Sequence, residues 1–175
     1  MSRTGASPER PGPCRDFLLY MEVERNLAAN TVEAYGRDLD QFHAWLAGRK
    51  QGLHRPERIT RDHVRGFLAE LHRLGLAKSS MGRKLSSLRT FFEFLHKRGM
   101  VKANPAAQVR SPKREQWQPK ALNVDQAVAM MEAAVEPDPE GLRDLALAEL
   151  LYGSGLRISE ALALDVTDVD VGGGA

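Results

Sequence analysis

The 175-residue sequence predicts an all-α chain built in two units, and three observations carry that prediction. Through the first hundred residues, apolar side chains recur at spacings of three and four, which places them on one face of a helix. No run of alternating apolar and polar residues, the mark of a half-buried strand, occurs in the same stretch. Charge then divides the chain: residues 1–120 carry 23 Lys/Arg against 12 Asp/Glu, whereas residues 121–175 carry 2 against 11.

Phe17, Leu18, Met21 and Val23 give a first helix over 15–25, stopped near Asn26. A second spans 29–47, with Val32, Tyr35, Leu39, Phe42 and Leu46 on one face and Gly48 and Gly52 beyond its end. The third carries its own start signal. Thr60 stands as N-cap, Asp62 sits in the positively polarised first turn, and Ile59 can staple onto Val64. Its buried stripe is Val64, Phe67, Leu68, Leu71 and Leu74, and Gly75 ends it. The fourth, over 79–97, sets Met81, Leu85, Leu88, Phe92 and Leu95 on one stripe, widened by Phe91 and Phe94, before Gly99. Four helices with one apolar face each bury those faces economically as a bundle.

Residues 102–120 break the pattern. Pro105, Pro112 and Pro119 with scattered Lys and Arg read as an extended basic linker. A second unit opens at 121, where Asn123 with Gln126 forms a capping box ahead of Val128, Met130, Met131 and Val135. An apolar helix over 142–152 runs into Gly153, Ser154 and Gly155, and helix resumes over 158–164. Asp165 to Val171 reads as the approach to a strand. Some 50 residues with apolar helices on all sides cannot bury that surface alone, so the unit is expected to be truncated or to need a partner.

The basic half points to a polyanion, most sharply over 78–120, where 11 Lys/Arg face only Glu93 and Glu115. A single Cys14 rules out an internal disulfide framework and fits a reducing, cytoplasmic setting. Residues 1–13 have no apolar core of a signal peptide and read as a disordered extension, and no segment is apolar enough to span a membrane. The five histidines, at 43, 54, 63, 72 and 96, lack metal-ligand spacing, so no metal site is expected.

The run Leu151-Tyr152-Gly153-Ser154-Gly155-Leu156-Arg157-Ile158-Ser159-Glu160, continuing to Leu164, resembles the first catalytic-arginine motif of the tyrosine recombinase (phage integrase) family. Earlier segments agree. Asn30-Thr31 with Tyr35, Asp38-Leu39 and Phe42 is similar to the second helix of that family's core-binding domain. Arg83, Leu85-Ser86, Leu88-Arg89 and Phe91-Phe92 are similar to its fourth. Lys102-Ala103-Asn104-Pro105 resembles the exit into the interdomain linker, and Pro119-Lys120-Ala121-Leu122 the entry to the catalytic domain. The resemblance covers residues 15–171, and within the family the pattern is most like the bacterial Xer subgroup.

It implies a four-helix core-binding (SAM-like) bundle over 14–101, the linker over 102–120, and over 121–175 the first helices of a mixed α/β catalytic domain. It further implies double-stranded DNA at a specific recombination site as substrate and a sister recombinase subunit as partner, in a tetramer on DNA. The family's chemistry passes through a 3′-phosphotyrosyl link and needs no metal or nucleotide. Chromosome dimer resolution at cell division is the implied role for a Xer-type protein. A phage or mobile-element integrase shares the same skeleton, and a naturally shortened, non-catalytic DNA-binding protein is a third reading.

Arg157 matches the first of two catalytic arginines, where a planar, always-charged guanidinium neutralises phosphoryl oxygens, and Glu160 is expected to orient it. Resemblance and surface position favour Thr31, Tyr35, Arg37, Arg83, Lys84, Ser87 and Arg89 as DNA contacts, with Lys113, Arg114 and Lys120 following the backbone along the linker. Ala28 and Ala77 stand where relatives often carry a Ser cap, so the second and fourth helices are expected to fray at their starts.

The family's catalytic Lys, His-x-x-Arg, later His or Trp, and Tyr nucleophile have no counterpart in residues 1–175, because Tyr20, Tyr35 and Tyr152 stand in other contexts. The 175-residue chain is therefore expected to form no covalent adduct with a nicked suicide substrate. A protein–DNA band surviving a denaturing gel, from this chain alone, overturns that expectation.

Overall fold

The computed structural model describes residues 10–113, 121–132 and 138–168. The chain divides into two units, Met1–Gln116 and Trp117–Ala175, and among the described residues it contains helices and turns but no strand.

In the first unit, α1 (Gly12–Leu19) begins behind Pro11, with a further proline in its first turn presetting the helical φ. It continues as a π-turn (Tyr20–Glu24), where the Arg25 N–H reaches the Tyr20 carbonyl, and Asn26 at φ 48° ends it. The start corrects the sequence expectation, which left residues 1–13 outside the fold. Arg10 donates from Nε and Nη2 to the Asp40 carboxylate at 2.8–3.1 Å and lies across Gly36, where a Cβ would come within 2.8 Å of Nη2. A glycine on the next helix opens the groove that seats this arginine, and residues 10–13 join the bundle through it. The remainder of the extension, residues 1–9, lies outside the described residues.

The other helices are α2 (Ala29–Ala47), α3 (Arg61–Arg73) and α4 (Lys78–Lys97). Neither Ala28 nor Ala77 supplies a side-chain cap bond. At α3, Thr60 forms a capping box with His63 in the place usually held by Glu or Gln: the Thr60 N–H donates to His63 Nδ1 at 3.0 Å. Ile59 and Val64 are both buried, as the staple requires. Leu74 departs from its predicted place in the stripe and is 58% exposed. The chain turns there through Gly75 at φ 78°, the Leu76 N–H returns to the Leu71 carbonyl, and Leu76 packs on the core instead.

Phe17 is the meeting point of three helices. Its buried ring lies edge-on to Tyr35 of α2 at 5.6 Å and to Phe91 and Phe94 of α4 at 5.4 Å each. Phe42 and Phe67, 5.0 Å apart, join α2 to α3. Such pairs add about 0.5–1.5 kcal/mol each beyond the area they bury.

A charged tie joins α2 to α4. Asp38 is 1% exposed, on the inner face of α2. It accepts from Arg83 Nη1 and Nη2 at 2.5 and 3.0 Å, Lys84 Nζ at 2.9 Å and Ser87 Oγ at 2.7 Å. Positions 83, 84 and 87 fall on one side of α4 by the helical repeat, so a single carboxylate meets all three. A second tie holds the chain leaving α4. Arg89 donates to the carbonyls of Ala106 and Val109 at 3.2 and 2.5 Å and to Ser111 Oγ at 3.2 Å. Asn104 Nδ2 returns to the Arg89 carbonyl, and its Oδ1 accepts the Ala106 N–H. The stretch expected to be extended thus begins as a fastened turn over residues 105–108.

In the second unit, α5 (Val124–Glu132) starts with the expected reciprocal bonds between Asn123 and Gln126. Val135 lies outside the described residues. Asp138 caps α6 (Pro139–Ser154), and a four-residue helix, α7 (Ile158–Ala161), follows. Where a strand approach was expected, Val166–Asp168 is a 3-10 turn fixed by the Asp165 N–H on Asp168 Oδ2. Among the described residues, Ala127 and Ala161 are this unit's only buried apolar side chains, and Val166 is 93% exposed.

Two outcomes follow from these ties. Asp38→Ala strands Arg83, Lys84 and Ser87 and is expected to cost about 3 kcal/mol, the low end for breaking a buried pair because one partner reaches solvent. Urea unfolding measures it, and an unchanged midpoint refutes the tie. His43 Nδ1 accepts the Leu53 N–H at 3.1 Å and so must be neutral. Burial and then the neighbouring His54 hold its pKa below the ordinary 6.5. That contribution is full above the ordinary value and is lost as pH falls from it through the lower folded value. The drop in urea midpoint between about pH 7 and about pH 5 is therefore expected to shrink in His43→Gln.

Candidate nucleic-acid interface

Thr31, Ala34 and Tyr35 of α2 and Arg83, Ser86 and Ser87 of α4 line one shallow groove on the first unit. The Asp38 tie sets its shape. Arg83 commits two of its five N–H groups to the carboxylate, yet its side chain stays 52% exposed and has donors to spare. Thr31 is exposed at the rim. Tyr35 serves both sides, with its ring against Phe17 and its flank in the groove. Arg37 is exposed one turn along, paired at 2.6 Å to Glu33, a contact that water and salt weaken readily. Asp38 carries one negative charge against two positive ones, so the tie as a whole is net positive, and Arg83 is its member that lines the groove.

Three predicted contacts are corrected. Lys84, with a side chain 13% exposed, and Ser87, which is buried, turn inward to Asp38 instead of outward to a ligand. Arg89 turns three of its five N–H groups to the chain leaving α4. Lys113 is exposed, as expected, and Arg114 and Lys120 lie outside the described residues. Ser86 was missed as a groove residue, and the role of Asp38 was missed entirely. A signal for it exists: an acidic residue between Tyr35, Leu39 and Phe42 on an apolar stripe demands a buried cation.

In the second unit, Gly155 ends α6 at φ 67°, a left-handed conformation that a side chain would strain. A Cβ at Gly153 or Gly155 meets nothing within 4 Å, so the loop face is open. Arg157 follows as the N-cap of α7. Its N–H donates to Glu160 Oε2 at 2.8 Å and its Nη1 to Oε1 at 2.9 Å. The backbone N–H and then the guanidinium hold the Glu160 carboxyl below its ordinary pKa. Arg157 remains 82% exposed, oriented at its base with most of its donors unused. Among the described residues, no group of three His, Cys, Asp or Glu comes together, and no helix is long and apolar enough to cross a membrane.

The family described as "Phage integrase, N-terminal SAM-like domain" matches residues 15–99, and "Phage integrase family" matches residues 120–175. The chain is 44% identical over 160 residues to a tyrosine recombinase XerC of Pelobacter propionicus, covering 91% of this chain and 53% of that one. A XerC of Xanthomonas axonopodis pv. citri is 40% identical, covering 91% and 54%, and a XerD of Listeria monocytogenes is 38% identical, covering 88% and 52%. The chain spans about half the length of the curated relatives it matches. Among solved structures, it is similar to a lambda integrase dimer bound to a COC′ core site, with TM-score 0.64, 22% identity, and coverage of 90% of this chain and 55% of that one. It is also similar to the Tn1549 transposon integrase in complex with a circular intermediate DNA, with TM-score 0.63, 20% identity, and coverage of 90% and 49%. At those identities the likeness is one of fold. The two family matches, which together span most of the chain, carry the assignment: the chain belongs to the tyrosine recombinase family, also called the phage integrase family.

Proposed function

We propose that this chain is the DNA-binding front of a Xer-type site-specific recombinase, with its α2–α4 groove set against double-stranded DNA. The carrying observation is the groove itself: an exposed hydroxyl at Thr31, an aromatic ring at Tyr35 and a half-exposed Arg83, whose tie to Asp38 and Lys84 sums to one positive charge. Arg83 and Arg37 meet phosphates or a guanine edge, and Thr31 and Ser86 reach base edges. Arg157, open to its surroundings, meets the scissile phosphate, and Glu160 fixes its base.

The activity proposed for the whole recombinase is strand exchange through a 3′-phosphotyrosyl intermediate. Its site is shared with a sister subunit in a tetramer on DNA, in the cytoplasm, where it resolves chromosome dimers at cell division. Supporting the Xer reading over an integrase of a mobile element, the three curated relatives described above are named XerC or XerD.

Fluorescence anisotropy on a duplex carrying a candidate recombination site tests the binding step. Log affinity is expected to fall linearly with log salt, and Arg37→Ala and Lys113→Ala are each expected to make the slope shallower by about one. Affinity that is absent, or insensitive to salt, sinks the reading.

A further inference from the structure

We infer that Arg61, Arg65 and Arg110 form a second phosphate-binding surface, outside the α2–α4 groove, that grips the DNA backbone without reading its sequence. This rests on the DNA-binding role proposed above.

The three arginines line one groove of the first unit, and its floor is Leu68 and Val109, both buried. Three cations thus converge over an apolar floor with one carboxylate at hand. That carboxylate, Asp62, stands 3.7 Å from Arg65, against 2.6 Å for the neighbouring Arg73–Glu70 pair. Among the described residues, Arg61 and Arg110 make no side-chain hydrogen bond or ion pair. Three like charges with a single carboxylate 3.7 Å from one of them repel one another, and an anion seated among them removes the repulsion.

Two further features resist a purely structural account. Arg61 opens α3, where the helix dipole disfavours a cation, and it makes no contact that offsets this. Arg110 does not dangle: Arg89 fixes the carbonyls of Val109 and Ala106, so the backbone that carries Arg110 is held beside α3. The fold spends a guanidinium on placing another guanidinium.

The lining also selects the class of anion. It offers no hydroxyl, amide or aromatic face with which to read a base or enclose a small metabolite. Planar forks above an apolar floor suit the repeated, doubly accepting oxygens of a phosphodiester backbone. Each phosphate neutralised releases counterions and adds roughly 0.9 to the salt slope.

The experiment uses the full 175-residue chain on two duplexes, one with the candidate site and one of unrelated sequence. Relative to the unsubstituted chain, the combined variant R61A/R65A/R110A is expected to make the salt slope shallower by about two to three, equally on both duplexes. R61K/R65K/R110K keeps the charge and is expected to hold the slope within about one while losing affinity, because Lys lacks the fork. R25A/R55A/K97A removes the same charge from exposed positions elsewhere on the unit and is expected to leave the slope unchanged. All six positions are exposed, so urea midpoints should not move. An unchanged slope in the alanine variant, or an equal loss in the R25A/R55A/K97A chain, overturns this inference alone. No binding by the unsubstituted chain overturns it together with the proposed function.

Discussion

A carboxylate taken out of water must be given cations and donors in return, and Asp38 imposes that demand on the whole first unit. Its answer comes from one side of one helix, so the register of α4 against α2 is set by charge as well as by aromatic packing. Apolar faces tolerate sliding by part of a turn, because Leu and Phe find new neighbours. Four hydrogen bonds converging on two oxygens do not. The groove between these helices is bounded by this tie, because Arg83, which lines it, is held on both oxygens of the carboxylate that Lys84 and Ser87 also meet.

The apolar periodicity of the sequence made the helices legible. Residues 29–47 stand as read, the third helix starts at its expected cap but ends before Leu74, and the fourth begins one residue earlier than expected. Periodicity could not reveal pairing between polar groups on different helices, and there the reading failed. Lys84 and Ser87 look like outward-facing polar residues on any helical wheel; only the position of Asp38, some 45 residues earlier, turns them inward. Arg89 was misread for the same reason, since its partners are backbone carbonyls that no residue type advertises. Arg10 escaped because the glycine that admits it, Gly36, is silent in a hydrophobic pattern. In the second unit the motif around Arg157 was legible because it is local: a left-handed glycine, an N-cap and its N3 carboxylate lie within six residues.

The division of charge along the chain has a structural counterpart. Basic residues of the first unit are split between those consumed internally, such as Lys84 and Arg89, and those left facing outward, such as Arg61, Arg65 and Arg110. Counting charges does not separate the two. The acidic second unit spends several carboxylates locally instead: Asp138 caps α6, Asp168 closes a turn, and Glu160 braces Arg157. These three carboxylates serve helix ends and a turn, and they coexist with two exposed guanidinium groups, Arg143 and Arg157.

Arg89 has a mechanical meaning beyond its hydrogen bonds. By holding residues 106, 109 and 111 it couples the departing chain to the middle of α4, about two turns from the helix end. A pull or twist applied farther along the polypeptide meets this clasp before it meets the helix terminus, so the load enters the bundle at its centre. The lever arm is short, and torque arriving from the chain is passed to the helix that also holds the Asp38 cations. A joint placed this way lets tension on the strand be felt at the groove without first unravelling the last turn of α4.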